Sequence, residues 1–406
     1  MTEWSPCRLS GPLPQGLIGT YFRIGPHPLP GAIARRWGAH PGLLHAIRMD
    51  AGGAAWHTAS RMAVEHGPGA NLLVDCGALL AAGESGPVWA IDKDGLNAAA
   101  RPLTGGRATT VPHAHPDSTG RLVVTAVDEH DPVVSCWSWV AGEWQLRRVV
   151  DVPDRSFLHD AQIVNDQLVL GMHPLRHSPR GPRWDAAKES SVWLIAPLDS
   201  NERPSLVESA PCFVLHGGTA TSDACEIVLR APVRPTPGLA RDEPVLDPSV
   251  VPGMREWRLD RIRGTATERQ LTYDPCDFPV ELDGDLIVAL AGEGDGGPDY
   301  TRCRGVARVG PGGELDRRLH PRGSFGGEFR PVMTDDGMVL AGLITWPDAS
   351  ELLILDPSDL SAEPLARVHV PVAIAAGLHS AWLPGEGRLQ ECAQKGGPRD
   401  SVAAGA

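Results

Sequence analysis

The sequence predicts an all-β protein, built either as a β-propeller or as a large sandwich. Two observations predict it. Short apolar or alternating runs recur along the 406 residues, among them RLVVTAVDE, DQLVLGMHP, SVWLIAPLD, CFVLHGG, CEIVLRAPV, DLIVALAGE, GMVLAGLITW and SELLILDPSD. Each has the length of a strand and ends in turn residues. Few stretches, in contrast, hold a 3.6-residue period through three turns. HPGLLHAI and NLLVDCGALLAAGE are the better helical candidates. The 46 Gly and 38 Pro punctuate the runs, and 42% hydrophobic residues supply a sizeable core. No sharp repeat of about 40 residues appears, so a propeller would have divergent blades.

No stretch between residues 10 and 385 reads as an interdomain linker, and the expectation is one domain across residues 1–406. GLARDEPVLDPSVVPGM reads as a long surface loop, and residues 390–406 as a mobile tail.

Charge and cysteine usage narrow the partners. The 37 basic and 50 acidic residues give a net charge of -13, which disfavours nucleic acid or an anionic membrane surface as the main partner. Eight cysteines are dispersed without a CxxC pair, which argues against a zinc–thiolate site and for free, buried thiols in a reducing cytoplasm. MTEWSPCRLSGPLPQG lacks the basic and apolar regions of a signal peptide. No run approaches the roughly 20 apolar residues of a transmembrane helix. A cytoplasmic protein is expected, and peripheral membrane contact through an apolar patch stays open.

Four of the 15 histidines occupy similar settings, at or beside predicted strand ends in segments with little charge. His113 lies in TTVPHAHPDSTGRLVV, His159 in SFLHDAQIVNDQLVL, His216 in PCFVLHGGTATSDACEIVL and His379 in VAIAAGLHSAWLP. Taken singly, a His-Asp pair such as His159-Asp160 suits a cap or turn. The inner strands of a propeller converge on its axis, however, so one histidine per blade can meet at a point. Neutral imidazole is a good ligand for iron, copper or zinc. Chance placement of four strand histidines is the competing reading.

The segments around these histidines resemble the carotenoid cleavage dioxygenase family, which includes stilbene-cleaving oxygenases and a retinoid isomerase. GLIGTYFRIGPHPLPG resembles its G-x-Y-x-R-N-G-P-N-P signature, and LLHAIRM its M-x-H-A-x-x-F segment. FLHDAQIVN carries the His-Asp before an apolar strand, and CFVLHGGTAT resembles F-H-x-x-N-A. DDGMVLAGLIT, then SELLILDPSD and VAIAAGLHSAW, resemble the C-terminal series E-D-D-G, I-L-D-A and P-x-G-F-H-G-x-W. The matches keep their order from about residue 15 to 385.

The resemblance implies a seven-bladed β-propeller with a loop and helix cap over an axial metal site. It also implies a mononuclear Fe(II) held by His113, His159, His216 and His379, with Glu84, Asp277 and Glu328 behind them. Four neutral ligands leave the ion its full charge and a position for O2. At the first ligand, anchoring on Asp117 and Thr119-Gly120 selects His113, and anchoring on His-Pro selects His115. The first anchor is preferred. Asp277 stands where the family has Glu, so either the histidine shifts or a water bridges the gap.

The chain also departs from the family. RRWGAHPG replaces an F-D-G-D-G stretch, which implies a remodelled cap, and Ile24 and His27 replace asparagines of the signature. Gly83 and, approximately, Trp56 stand where cleavers of 4-hydroxystilbenes carry a Lys and a Tyr, which lowers the stilbene reading. Trp56, Trp89, Trp137, Trp139, Trp346 and Trp382 suit blade packing better than a tunnel lining. The implied activity is cleavage of a conjugated apolar alkene by O2 into two carbonyl fragments. An iron-dependent isomerase or hydratase, and a decayed propeller used for binding, are the alternatives.

Overall fold

The computed structural model describes residues 3–385 except 27–41, 62–70, 76, 84–86, 95, 102, 104–107, 129–130, 154–155, 177–182, 186, 224, 236–249, 295–296, 301 and 375–378. Among the described residues every regular element is a strand. The strands form seven antiparallel blades of four around an axis.

Blade one is the chain's closure. Its inner strand, His379–Pro384, comes from the C-terminal side and pairs with Gly19–Pro26, which continues into Gly42–Met49 and Ala55–Arg61. Blades two to seven then follow in chain order. Their inner strands are Asn71–Asp75, Ala108–Pro116, Gln162–Val164, Thr219–Ser222, Cys276–Leu282 and Phe329–Met333. Successive inner strands touch, and the seventh touches the first, so the ring is closed. Closure leaves only short, protected sheet edges. Ser5–Ser10 adds a tie between ends, pairing with Ala366–Val370 of blade seven and Ala55–Arg61 of blade one.

The turns follow from the residues at them. Asn165-Asp166, Ala141-Gly142 and Asp283-Gly284 are two-residue hairpin loops with positive φ at both positions (46° and 57°, 53° and 88°, 51° and 85°). That backbone matches the twist of the flanking strands, and Asn, Asp and Gly adopt it at least cost.

The core is divided among the interfaces between blades. Val123, Val134 and Cys136 of blade three pack on Leu168, Leu170 and Leu194 of blade four. Val169 and Trp193 of blade four pack in turn on Leu229 and Trp257 of blade five. A strand inside such a stack is covered on both faces, so it reads as a continuous apolar run rather than an alternating one.

That explains the helical readings the structure overturns. GLLHAIRM is the strand Gly42–Met49, and NLLVDCGALLAAGE contributes the strands Asn71–Asp75 and Ala78–Ala82. Both faces of these strands are largely buried, and a short apolar run has no period that separates it from a helix. The expected cap segment, most of the GLARDEPVLDPSVVPGM loop and the tail from 390 lie outside the described residues. Trp89, Trp137, Trp139, Trp346 and Trp382 pack in or against these clusters. Trp56 is 36% exposed on the outer strand of blade one, where its indole N–H donates to Asp50. The six described cysteines are free, and Cys136, Cys212, Cys276 and Cys303 are buried.

Candidate metal centre

The inner strands set the site. His379 opens the inner strand of blade one, and His113 lies on that of blade three. His159 and His216 each stand three residues before the inner strands of blades four and five. The four imidazoles meet at the axis, with one ligand nitrogen from each and all four within 4.8 Å of one another. His159 Nε2 lies 3.3 Å from His113 Nε2 and 3.1 Å from His216 Nε2. Nitrogens bound at about 2.1 Å to one ion and at right angles lie about 3 Å apart, so this spacing fits a first-row cation. The rings stand edge to face, with His113 4.7 Å from both His216 and His379 between centroids.

Electrostatics favour a cation as well. Burial holds His113 and His216 well below the ordinary imidazole value, and the neighbouring imidazoles push the same way. Burial also lowers His379, although Glu328 pulls against it. Neutral rings keep a lone pair for a metal. The donor set of four imidazoles therefore fits the implied iron in spacing, and burial favours the neutral form of His113, His216 and His379.

Groups on blades two and six lie within hydrogen-bond distance of two of the other ring nitrogens, and a carboxylate beside blade seven faces a third. His216 Nδ1–H donates to Asp277 Oδ1 at 2.7 Å. This fixes the tautomer that leaves Nε2 bare. The shorter aspartate thus reaches the ring directly, and neither a shifted histidine nor a bridging water is needed. A β-bulge between Asp277 and Val280 aims it there and puts Phe278 at φ 54°. Asp277 also pairs with Arg234, whose guanidinium lies 4.2 Å over the Tyr300 ring.

Glu328 Oε2 stands 3.7 Å from His379 Nδ1, beyond hydrogen-bond reach, and accepts the Ser380 N–H at 2.7 Å. Burial opposes its charge, yet Arg330 at 2.8 Å and His379 hold the carboxyl down at about 2. Asn71 faces His113, with Nδ2 at 3.0 Å from Nδ1, while its Oδ1 accepts the Leu72 N–H. A cation at His113 Nε2 requires a proton on Nδ1. A half-turn of the Asn71 amide would present the oxygen that accepts it, at the expense of the Leu72 N–H bond.

The structure brings His113, His159, His216 and His379 together, with Asp277 against His216 and Glu328 3.7 Å from His379. The third acid, Glu84, lies outside the described residues. His115 does not enter the cluster; its Nε2 is 2.8 Å from Asp160. Sequence reasoning missed Asn71, Arg234, Arg330 and the aromatic wall. Phe278 packs on His216 and His379 at 5.0 and 5.2 Å, and Phe157 stacks on His159 at 6.3 Å. The one available signal was Phe278, which sits inside the D-F-P match.

Fold and site together define a seven-bladed propeller with an axial four-histidine centre. The RPE65 (retinal pigment epithelial membrane protein) family model matches residues 51–283 and 321–384. The chain belongs to this family, that of the carotenoid oxygenases. A carotenoid cleavage oxygenase of Mycobacterium tuberculosis is 23% identical over 268 residues, covering 59% of this chain and 51% of the relative. The chain's match therefore spans about half the length of that relative. Among solved structures, a lignostilbene dioxygenase of Pseudomonas brassicacearum superposes with a TM-score of 0.81 at 17% identity. The cobalt-substituted apocarotenoid oxygenase of Synechocystis gives the same values, and both superpositions cover 95% of this chain and 96% of the other. No described helix is long and apolar enough to cross a membrane.

Proposed function

We propose that the protein is a non-haem Fe(II)-dependent dioxygenase that splits a carbon–carbon double bond of a conjugated apolar alkene into two carbonyl products. The observation that carries this reading is the convergence of His113, His159, His216 and His379 on one point. The reaction balances without a protein acid or base, because one C=C and one O2 become two C=O groups. Iron, when bound, supplies the activation of O2 beside the alkene.

The chain's own groups prepare that chemistry. Four imidazoles offer lone pairs to the ion, and Asp277 holds the proton of His216 on Nδ1. Phe157 and Phe278 are buried against three of the four rings and exclude water from their flanks. A dry, preorganised surround is what an apolar substrate and a reactive centre require. Gly83, at the position of a phenol-binding lysine in the resemblance, favours an apocarotenoid or polyene over a 4-hydroxystilbene.

The convergence supports an intact centre over a decayed binding propeller. Mass-spectrometric product analysis with iron and O2, across carotenoid, stilbene and phenylpropene panels, tests the reading. Paired carbonyl fragments, absent without O2, are expected. Turnover that is independent of O2 would point to an isomerase or hydratase instead. A folded, anaerobically purified protein without stoichiometric iron would end the enzyme reading.

A further inference from the structure

Asp160 touches none of the four imidazoles through its own carboxylate, yet that carboxylate reaches three ligand-bearing segments. Oδ1 lies 2.8 Å from His115 Nε2, two residues along the blade-three strand from His113. The same oxygen accepts the Ala161 N–H at 2.7 Å, which closes the turn holding His159. Oδ2 accepts the Gly217 N–H at 2.6 Å, one residue after His216. Gln162 Nε2 stands 3.2 Å from both Asp160 Oδ2 and His115 Nε2 and covers the cluster. A Cβ on Gly217 would lie 2.0 Å from that amide, so the Gln162 side chain packs directly over the glycine. The Asp160 side chain is 6% exposed and the His115 side chain 23%.

We infer that Asp160 is a positioning residue that ties the segments carrying His113, His159 and His216 into one metal cradle, with His115 as its partner on blade three. The inference rests on the metal-centre reading. The Asp160 carboxylate links ligand carriers on three separate blades, with Gln162 packed beside it. Their mutual spacing would otherwise depend on blade packing alone, and a metal site tolerates only a few tenths of an ångström. The second histidine of HAHP is accordingly a strut for the site, distinct from the ligand.

Cobalt(II) titration of metal-free protein tests this, read by visible d–d absorption, with thermal unfolding of each metal-free variant alongside. Wild type is expected to bind one equivalent. Failure at that step overturns the metal-centre reading itself, whatever the variants do. Given binding, Asp160→Ala is expected to weaken cobalt affinity by about 10–100-fold and to shift the spectrum. Asp160→Asn keeps an acceptor for one backbone N–H and should recover part of the loss. His115→Ala, at a position whose side chain is 23% exposed, should fold and weaken binding about 10-fold, and His115→Gln should restore it to within about 3-fold, since outer partners act through ligand placement. Wild-type affinity and spectrum in a folded Asp160→Ala protein would overturn the inference. If Asp160→Ala does not fold, wild-type binding by His115→Ala overturns it, and loss with rescue by His115→Gln supports it.

Discussion

Replacing Asp277 with alanine removes the anion that separates two buried groups, the imidazole of His216 and the guanidinium of Arg234. Both Asp277 and Arg234 are 1% exposed, so water cannot take the place of the carboxylate. Breaking one side of a buried ion pair costs about 3–5 kcal/mol, mostly as the penalty of the remaining buried charge. The Tyr300 face, 4.2 Å from the guanidinium, offsets part of this by up to about 2 kcal/mol. A net loss near 3 kcal/mol is expected. With an unfolding entropy of about 2.1 cal/mol/K per residue over 406 residues, Tm should fall by about 3–4 °C. Replacing both partners, as Asp277→Leu with Arg234→Met, removes the charge with its acceptor and should restore most of that stability. It should not restore metal affinity, because His216 Nδ1–H still lacks its acceptor. Thermal unfolding of metal-free protein, followed by circular dichroism, and cobalt titration separate the two effects. If Asp277→Ala melts with wild type, or the double replacement is no more stable than the single, the ion-pair reasoning is wrong.

Other perturbations probe other parts of the structure. His216→Ala or His159→Ala should leave iron content after anaerobic purification near zero in a folded protein, and full iron in either would remove that residue from the ligand set. His45, His173 and His320 are held neutral by burial, each at about 3 against an ordinary 6.5. The unfolded chain therefore takes up protons first as pH falls, so their stabilisation is complete above 6.5 and is lost progressively below it. Urea unfolding of metal-free protein should show about 4 kcal/mol less stability at pH 5.5 than at pH 7.5 from these three groups, and a flat profile would contradict their neutral burial. Phe278→Ala should cost about 3–5 kcal/mol through lost packing on His216 and His379. Phe278→Gly should be at least as stable as the alanine variant, because φ 54° burdens alanine by about 1 kcal/mol and glycine hardly at all; a clearly weaker glycine variant would argue against backbone strain there.

The sequence by itself determined the all-β class, because turn residues break it into runs too short for helices. Through ordered local motifs it also singled out His113, His159, His216 and His379, and the two described acids behind them. Its errors fell where periodicity carries no information. Gly42–Met49 and Asn71–Asp75 are covered by neighbouring blades on both faces, so they lose the alternation that marks a strand. Only the tertiary structure decided which groups complete the site. Arg234 ends a strand as APVRP and reads as a solvated arginine until blade six brings Asp277 and Tyr300 against it. Asn71 reads as part of an apolar run until blade three turns His113 toward it. Between His113 and His115, two residues apart, the choice belonged to the ring closure, which aims one imidazole at the axis and the other at Asp160. Contacts between blades join residues some 40 to 60 positions apart, and no local pattern encodes them.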